Sequence, residues 1–138
     1  MILLDTDTFS HLTRGHEKVV ARLATVTDDA AITIVTRVEA LEGRLSFLKR
    51  AANGEELLRA QQWLQRTELE LAQLPIVLFN EAAAAEFDRL RENKKLKKIG
   101  RADLLIAAIT LANRATLVSR NLKDFPQVPG LQFENWVD

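Results

Sequence analysis

Ile2-Leu3-Leu4-Asp5-Thr6-Asp7-Thr8 opens the chain with three consecutive apolar residues that end on a carboxylate. A short, continuously apolar run reads as a strand buried on both faces, as in a parallel sheet covered by helices. The rest of the chain repeats the theme. Residues 31–35 (Ala-Ile-Thr-Ile-Val) are β-branched and read as a second strand. Ile76-Val77-Leu78 after Pro75 gives a third, and Thr116-Leu117-Val118 a fourth. Gln132-Phe133 is a candidate short fifth. Helical stretches alternate with them: from the first strand to about Val26, then 36–51, 55–74, 81–95 and 101–114. Asn53-Gly54 breaks the second from the third, Asn80 suits the N-cap of the fourth, and Gly100 precedes the fifth. Strands alternating with helices imply an α/β chain with a parallel sheet.

The chain has 138 residues, 47% of them apolar, and no Pro/Gly/Ser-rich linker, so residues 1–138 read as one domain. It has no cysteine, which excludes disulfides and thiolate-held metals and makes a reducing cytoplasm the natural compartment. Asp5 follows Met1 too closely for a signal peptide, and no apolar run is long enough to span a bilayer. The 19 basic and 19 acidic residues cancel, which argues against non-specific coating of nucleic acid but leaves room for a local basic patch.

In a parallel sheet, function collects at the carboxyl ends of the strands. Asp5 and Asp7 follow the first strand, and Glu39 falls in the first turn of the next helix. Asp103 opens the helix after Gly100, and Asn121 and Asp124 follow the fourth strand. Hard cations take such oxygens, and magnesium uses few carboxylates, keeping waters and accepting phosphate oxygens for the rest. A bound ion of that kind activates water and neutralises charge on a phosphodiester, with no need for a histidine or cysteine nucleophile. Local roles compete with this one. Thr36-Arg37-Val38-Glu39 matches a capping box. Asp103 could complement a helix dipole, although a carboxylate before Leu104-Leu105-Ile106 on a largely buried helix needs a partner. Asp124 reads equally as a turn residue. His11 and His16 read as surface or packing residues, and Trp63 as a packing or interface residue.

The run Lys94-Lys95-Leu96-Lys97-Lys98 leads through Arg101 to Asp103 and could hold a phosphate backbone beside the acids. Arg120 and Lys123 flank the strand-four acids and could extend that patch. The helix over residues 55–74 carries an apolar stripe with Trp63, which suits either internal packing or a partner.

Four motifs in order resemble the PIN domain, and more narrowly the VapC branch of toxin ribonucleases. They are Leu-Leu-Asp5-Thr-Asp7, Glu39-Ala-Leu-Glu-Gly43, Ile99-Gly-Arg-Ala-Asp103-Leu-Leu-Ile-Ala-Ala, and Leu117-Val-Ser-Arg-Asn-Leu-Lys-Asp124-Phe. The tail Val128-Pro-Gly-Leu-Gln-Phe-Glu-Asn-Trp136 is similar to the ending of that branch. The resemblance implies a three-layer α/β/α sandwich with a central, mainly parallel sheet of four to five strands. It implies cleavage of RNA, often transfer or ribosomal RNA, with Mg²⁺ or Mn²⁺. It implies a homodimer inhibited by a VapB-type antitoxin, and through that antitoxin a larger complex on DNA. By motif position Asp5 and Asp103 would be the main metal ligands, with Glu39 completing the cluster. The fourth position falls on Asn121 or Asp124, and the carboxylate favours Asp124. Asp7 departs from the Asn or Ser usual there. It would bind the cation or be protonated, making activity more dependent on metal and pH.

Two other readings exist. Asp5-Thr-Asp7 after a strand is similar to the haloacid-dehalogenase phosphatases, but Phe9 stands where that motif wants Thr or Val, and no lysine motif or late aspartate pair follows. A non-catalytic module is the second. A receiver would need an Asp after its third strand, where Leu78-Phe79-Asn80 stands, and a degenerate PIN domain would lack the acids.

Overall fold

A computed structural model describes all 138 residues. Five strands form one wholly parallel sheet in the order β3-β2-β1-β4-β5: β1 Ile2–Leu4, β2 Ala30–Thr33, β3 Ile76–Val77, β4 Thr116–Val118 and β5 Gln132–Glu134. The six α-helices are α1 Thr6–Thr13, α2 Glu17–Thr25, α3 Ile34–Arg50, α4 Gly54–Leu71, α5 Glu81–Glu92 and α6 Arg101–Ala112. β1 is central, pairing Leu3 with Ala31 on one side and with Leu117 on the other.

The period of two in a strand separates the layers. Leu3, Ala31 and Leu117 point into a core shared with Phe87 and Leu90 of α5 and with Ile106 and Ile109 of α6. Their neighbours Leu4, Ile32 and Val118 enter the opposite core, with Phe9 of α1, Val19 of α2 and Leu71 of α4. This is the expected α/β/α sandwich. Strands of two to four residues are short even for a parallel sheet. They persist because Leu3, Leu4, Ile32, Leu117 and Val118 are fully buried, each burial being worth about 1.5–3 kcal/mol. The tail closes the second core: Trp136 and Val137 are buried, and Trp136 Nε1 donates to Glu134 Oε2 at 2.8 Å.

Several boundaries differ from the sequence expectation; β3 stops at Val77 without Leu78, and α6 stops at Ala112. The first helical stretch is two helices, broken at Gly15 in the left-handed region (φ 78°), after which His16 Nδ1 caps α2. β2 stops at Thr33, whose Oγ1 accepts from the Thr36 N–H, so Ile34 and Val35 enter α3 rather than the strand. α4 ends at Leu71, before Pro75 is reached. α5 ends at Glu92 because Asn93 caps a separate 3₁₀ turn, Lys94–Leu96, that buries Leu96.

Candidate active site

The connections run from β1 through β2 to β3 on one side and leave β4 and β5 on the other, so the crevice between the ends of β1 and β4 is the topological switch point. Asp5 stands there, only 6% exposed. Its backbone N–H donates to the Val118 carbonyl, continuing the β1–β4 ladder, and its Oδ1 accepts from the Thr8 N–H at 2.8 Å as the N-cap of α1. Burial pushes the Asp5 carboxyl above its ordinary value. Hydrogen bonds from Ser119 and Thr8 pull it back, and the Asp7 charge adds a push upward.

Asp103 is half-buried in the first turn of α6. Its Oδ2 accepts from Asn121 Nδ2 at 3.1 Å. Burial raises this carboxyl too, the charge on Asp5 raises it further, the Asn121 hydrogen bond lowers it, and Asp124 and Glu39 add to the repulsion. Asn121 Nδ2 also donates to Asp124 Oδ2 at 3.1 Å, and Asn121 Oδ1 accepts from the Asp124 N–H. The two residues that competed for the fourth position therefore act on each other. Asn121 lines the cleft and holds Asp124 and Asp103 on one amide.

Glu39 lies in the second turn of α3, not the first, because Thr33 rather than Thr36 caps the helix. The capping-box role is thereby excluded, since Glu39 is too far from the N-cap. Its Oε1 instead accepts from Thr6 Oγ1 at 2.5 Å. Thr6 Oγ1 is also 3.0 Å from the Oγ1 of buried Thr36. A hydroxyl has one proton, so with Thr6 donating to Glu39, Thr36 is the donor to Thr6. Thr6 was not singled out in the sequence, and Thr36 was read only as the cap of a capping box. The available signal was a hydroxyl directly after Asp5 and another one turn before Glu39.

Asp5, Asp7, Glu39, Asp103, Asn121 and Arg120 line one open cleft of about 630 Å³ with no apolar residue in its wall. The metal donors in this wall are all oxygen, as a hard divalent ion requires, and Arg120 is the one cation beside them. No three carboxylates or histidines close on a common point unaided, so an ion here would take its remaining positions from water and substrate. Asp7 is exposed, and His11 Nε2 lies 3.5 Å from its Oδ2. Arg120 is held at 3.0 Å by Asp138.

The other expected site residues lie outside the cleft. Lys94, Lys95, Lys97 and Lys98 are exposed on the segment anchored by buried Leu96 and Ile99. Arg101 lines an adjoining groove that shares Glu39 with the cleft. A larger hollow, about 700 Å³, lies elsewhere, between α3 and α4, lined by Phe47, Arg59 and Trp63 among others. Trp63 is half-exposed, its ring 5.3 Å from Phe47 and 4.7 Å from the Arg44 guanidinium, so it packs in part and remains half open to solvent. That hollow lacks the paired acids, and we assign the chemistry to the smaller, wholly polar cleft.

Comparison with known proteins gives concordant results. The family profile described as PIN domain matches residues 2–131. Ribonuclease VapC2 of Rickettsia felis is 35% identical over 80 residues, which cover 56% of this chain and 60% of that protein. Ribonuclease VapC1 of Haemophilus influenzae strain R2866 is 24% identical over 139 residues, covering 97% of this chain and 96% of that one. Among solved structures, VapBC2 from Rickettsia felis bound to a DNA fragment from its promoter superposes with a TM-score of 0.78 at 27% identity, covering 99% of both chains.

Proposed function

This chain belongs to the PIN-domain family, and from that premise we propose that it is a metal-dependent endoribonuclease of the VapC type, the toxin of a toxin–antitoxin pair. The observation that carries the reading is the convergence of Asp5, Glu39, Asp103 and Asn121 in one polar cleft, with Asp5 pushed upward by burial and Asp103 by burial and the Asp5 charge. Two carboxylates so placed repel each other unless a cation sits between them. Asp5 and Asp103 would hold that ion, with Asp7 adding its charge beside Asp5 and with Asp124 and Glu39 adding theirs beside Asp103. The ion is Mg²⁺, for which Mn²⁺ can substitute. When bound, it supplies charge neutralisation at the phosphate and a more acidic water.

The chain's own groups then have distinct tasks. Thr6 occupies Glu39 Oε1 and leaves Oε2 to accept the proton that the attacking water gives up. Asn121 occupies Asp103 Oδ2 and leaves Oδ1 for the ion. As the water oxygen bonds to phosphorus, the ester P–O bond breaks and its oxygen takes up a proton. Arg120 stands on the cleft wall as the cation that orients the phosphate.

The relatives named ribonucleases support RNA as substrate, and transfer and ribosomal RNA are the classes to test first. The lysines of 94–98 with Arg101 and Arg120 form the basic surface beside the cut. The partner is a VapB-type antitoxin seated against the exposed apolar face of α3 and α4. The solved complex on promoter DNA supports the further reading that the antitoxin carries the pair, with the toxin as a homodimer, to DNA. No helix is long and apolar enough to cross a membrane, and the working compartment is the cytoplasm. The phosphatase reading gives way to family membership, and no lysine lines the cleft to serve it.

Incubation of the purified protein with total cellular RNA tests the proposal. Discrete fragments are expected with Mg²⁺, and none with EDTA or with Asp103→Asn. Fragments that persist in chelator or in the variant would overturn the metal mechanism.

A further inference from the structure

Three hollows on one side of the molecule share lining residues in series. Glu39 lines both the acidic cleft and a neighbouring groove of about 440 Å³. Arg101, the first residue of α6, lines that groove and also a smaller cleft of about 240 Å³ between α5, the turn after it and α6. The polar wall of this last cleft consists of Arg91, Lys97 and Arg101, with no acid among its lining residues. The guanidinium carbons of Arg91 and Arg101 each lie 5.6 Å from the centre of the same ring, Phe87. Phe87 is buried and is met edge-on by Phe79 at 6.2 Å, so the ring is a fixed support. A guanidinium resting on an aromatic ring is restrained in orientation yet keeps its N–H donors for another partner. None of the three cations has a carboxylate within ion-pair distance, whereas Arg89 on the same helix is paired with Glu86. Unpaired, braced cations in a chain of zero net charge suit a phosphate better than a neutral ligand.

We propose that this cleft is a phosphate-binding subsite for the RNA strand, so that the backbone runs from the acidic cleft past Arg101 to Arg91 and Lys97. The assignment of the strand as RNA rests on the nuclease reading above. Because phosphate contacts release counterions, the subsite is measurable as a salt slope. Binding of a short fluorescein-labelled single-stranded RNA is followed by anisotropy in EDTA, where nothing is cut. Each of Arg91→Gln, Lys97→Gln and Arg101→Gln is expected to reduce the slope of log K against log [KCl] by about 0.7, or about fivefold in affinity change per decade of salt. Arg89→Gln is expected to leave it unchanged. Circular dichroism confirms that each variant is folded.

Slopes equal to wild type in all three variants would overturn the subsite, as would absence of RNA binding at about 20 mM KCl. A reduced slope for an acidic peptide but not for RNA would assign the cleft to a protein partner and equally overturn it. Cleavage of RNA with Mg²⁺ is scored separately. Unaltered slopes with intact cleavage defeat the subsite alone. Altered slopes in a protein that never cuts defeat the nuclease reading and leave the cleft.

Discussion

Asp5 and Asp103 are held above the ordinary carboxyl value of 3.8, first by burial and then, for Asp103, by the charge on Asp5. A carboxyl whose folded pKa exceeds its unfolded one binds its proton more tightly when folded. It therefore favours the fold at low pH and loses that contribution as pH rises from 3.8 through the raised value. Metal-free protein is thus expected to melt at lower temperature at pH 7 than near pH 4.5 as far as these groups decide it. Saturating Mg²⁺ should reverse the loss. Asp103→Asn removes one of the two charges, so in EDTA at pH 7 it should melt higher than wild type by about 3 °C, the shift that about 1 kcal/mol makes in a chain of this size. The same variant should lose cleavage by more than the 10–100-fold typical of residues that only orient a ligand. A melting temperature that is lower than wild type in EDTA would show that the two acids do not oppose each other. Thr6 supplies a second residue-level test. Thr6→Val deletes the donor to Glu39 and should cost about 10–100-fold in cleavage, while Thr6→Ser should retain most of it. The strand-end placement of Asp5 and Asn121 was legible in the sequence, because short apolar runs locate the sheet edge, and Gly100 marked the helix start that carries Asp103. The links among Thr6, Thr36 and Glu39 were not, because they join segments about 30 residues apart and depend on the angle at which α3 leaves the sheet.

At the scale of elements, the sequence conveyed the order of strands and most helices and missed where particular ones begin and end. Residues 32–35 are β-branched throughout, and propensity gives no reason to stop the strand at Thr33. The stop comes from Thr33 Oγ1 capping α3, and it moves Glu39 from the first turn to the second. Gly15 interrupts a stretch whose helical spacing is continuous, since only a glycine takes φ 78° without strain. Caps can be separated from chemistry by experiment. Asn80 Oδ1 accepts from the Ala83 N–H at 2.9 Å at the start of α5, far from the acidic residues in sequence and absent from their cleft. Asn80→Ala should lower stability by about 1 kcal/mol, read by urea unfolding, and leave cleavage per folded molecule unchanged. Loss of activity beyond the unfolded fraction would mean that α5 positions the site more directly than its contacts indicate.

Across the whole molecule, α4 finds its principal neighbour in α3, and the pair leaves Leu57, Leu58, Trp63 and Leu69 about half-exposed or more. Under the proposed function this is the surface the antitoxin covers. Trp63→Ala should weaken the toxin–antitoxin complex by at least about 2 kcal/mol, roughly 30-fold by calorimetry, with RNA cleavage unchanged. Equal affinity would place the antitoxin elsewhere. The apolar stripe was visible in the sequence, but its exposure was not, since a stripe looks the same whether it meets the core or a partner. The sheet order carries one more consequence. β1, which presents Asp5, is completed on one side only by β4, whose Leu117 pairs with Leu3 at a sequence separation of 114. A ribosome delivers those two strands more than a hundred residues apart. A nascent chain interrupted before Asn121 carries Asp5 and Glu39 without the amide that holds Asp103, so the acidic cleft is assembled only after β4 and the residues behind it have emerged.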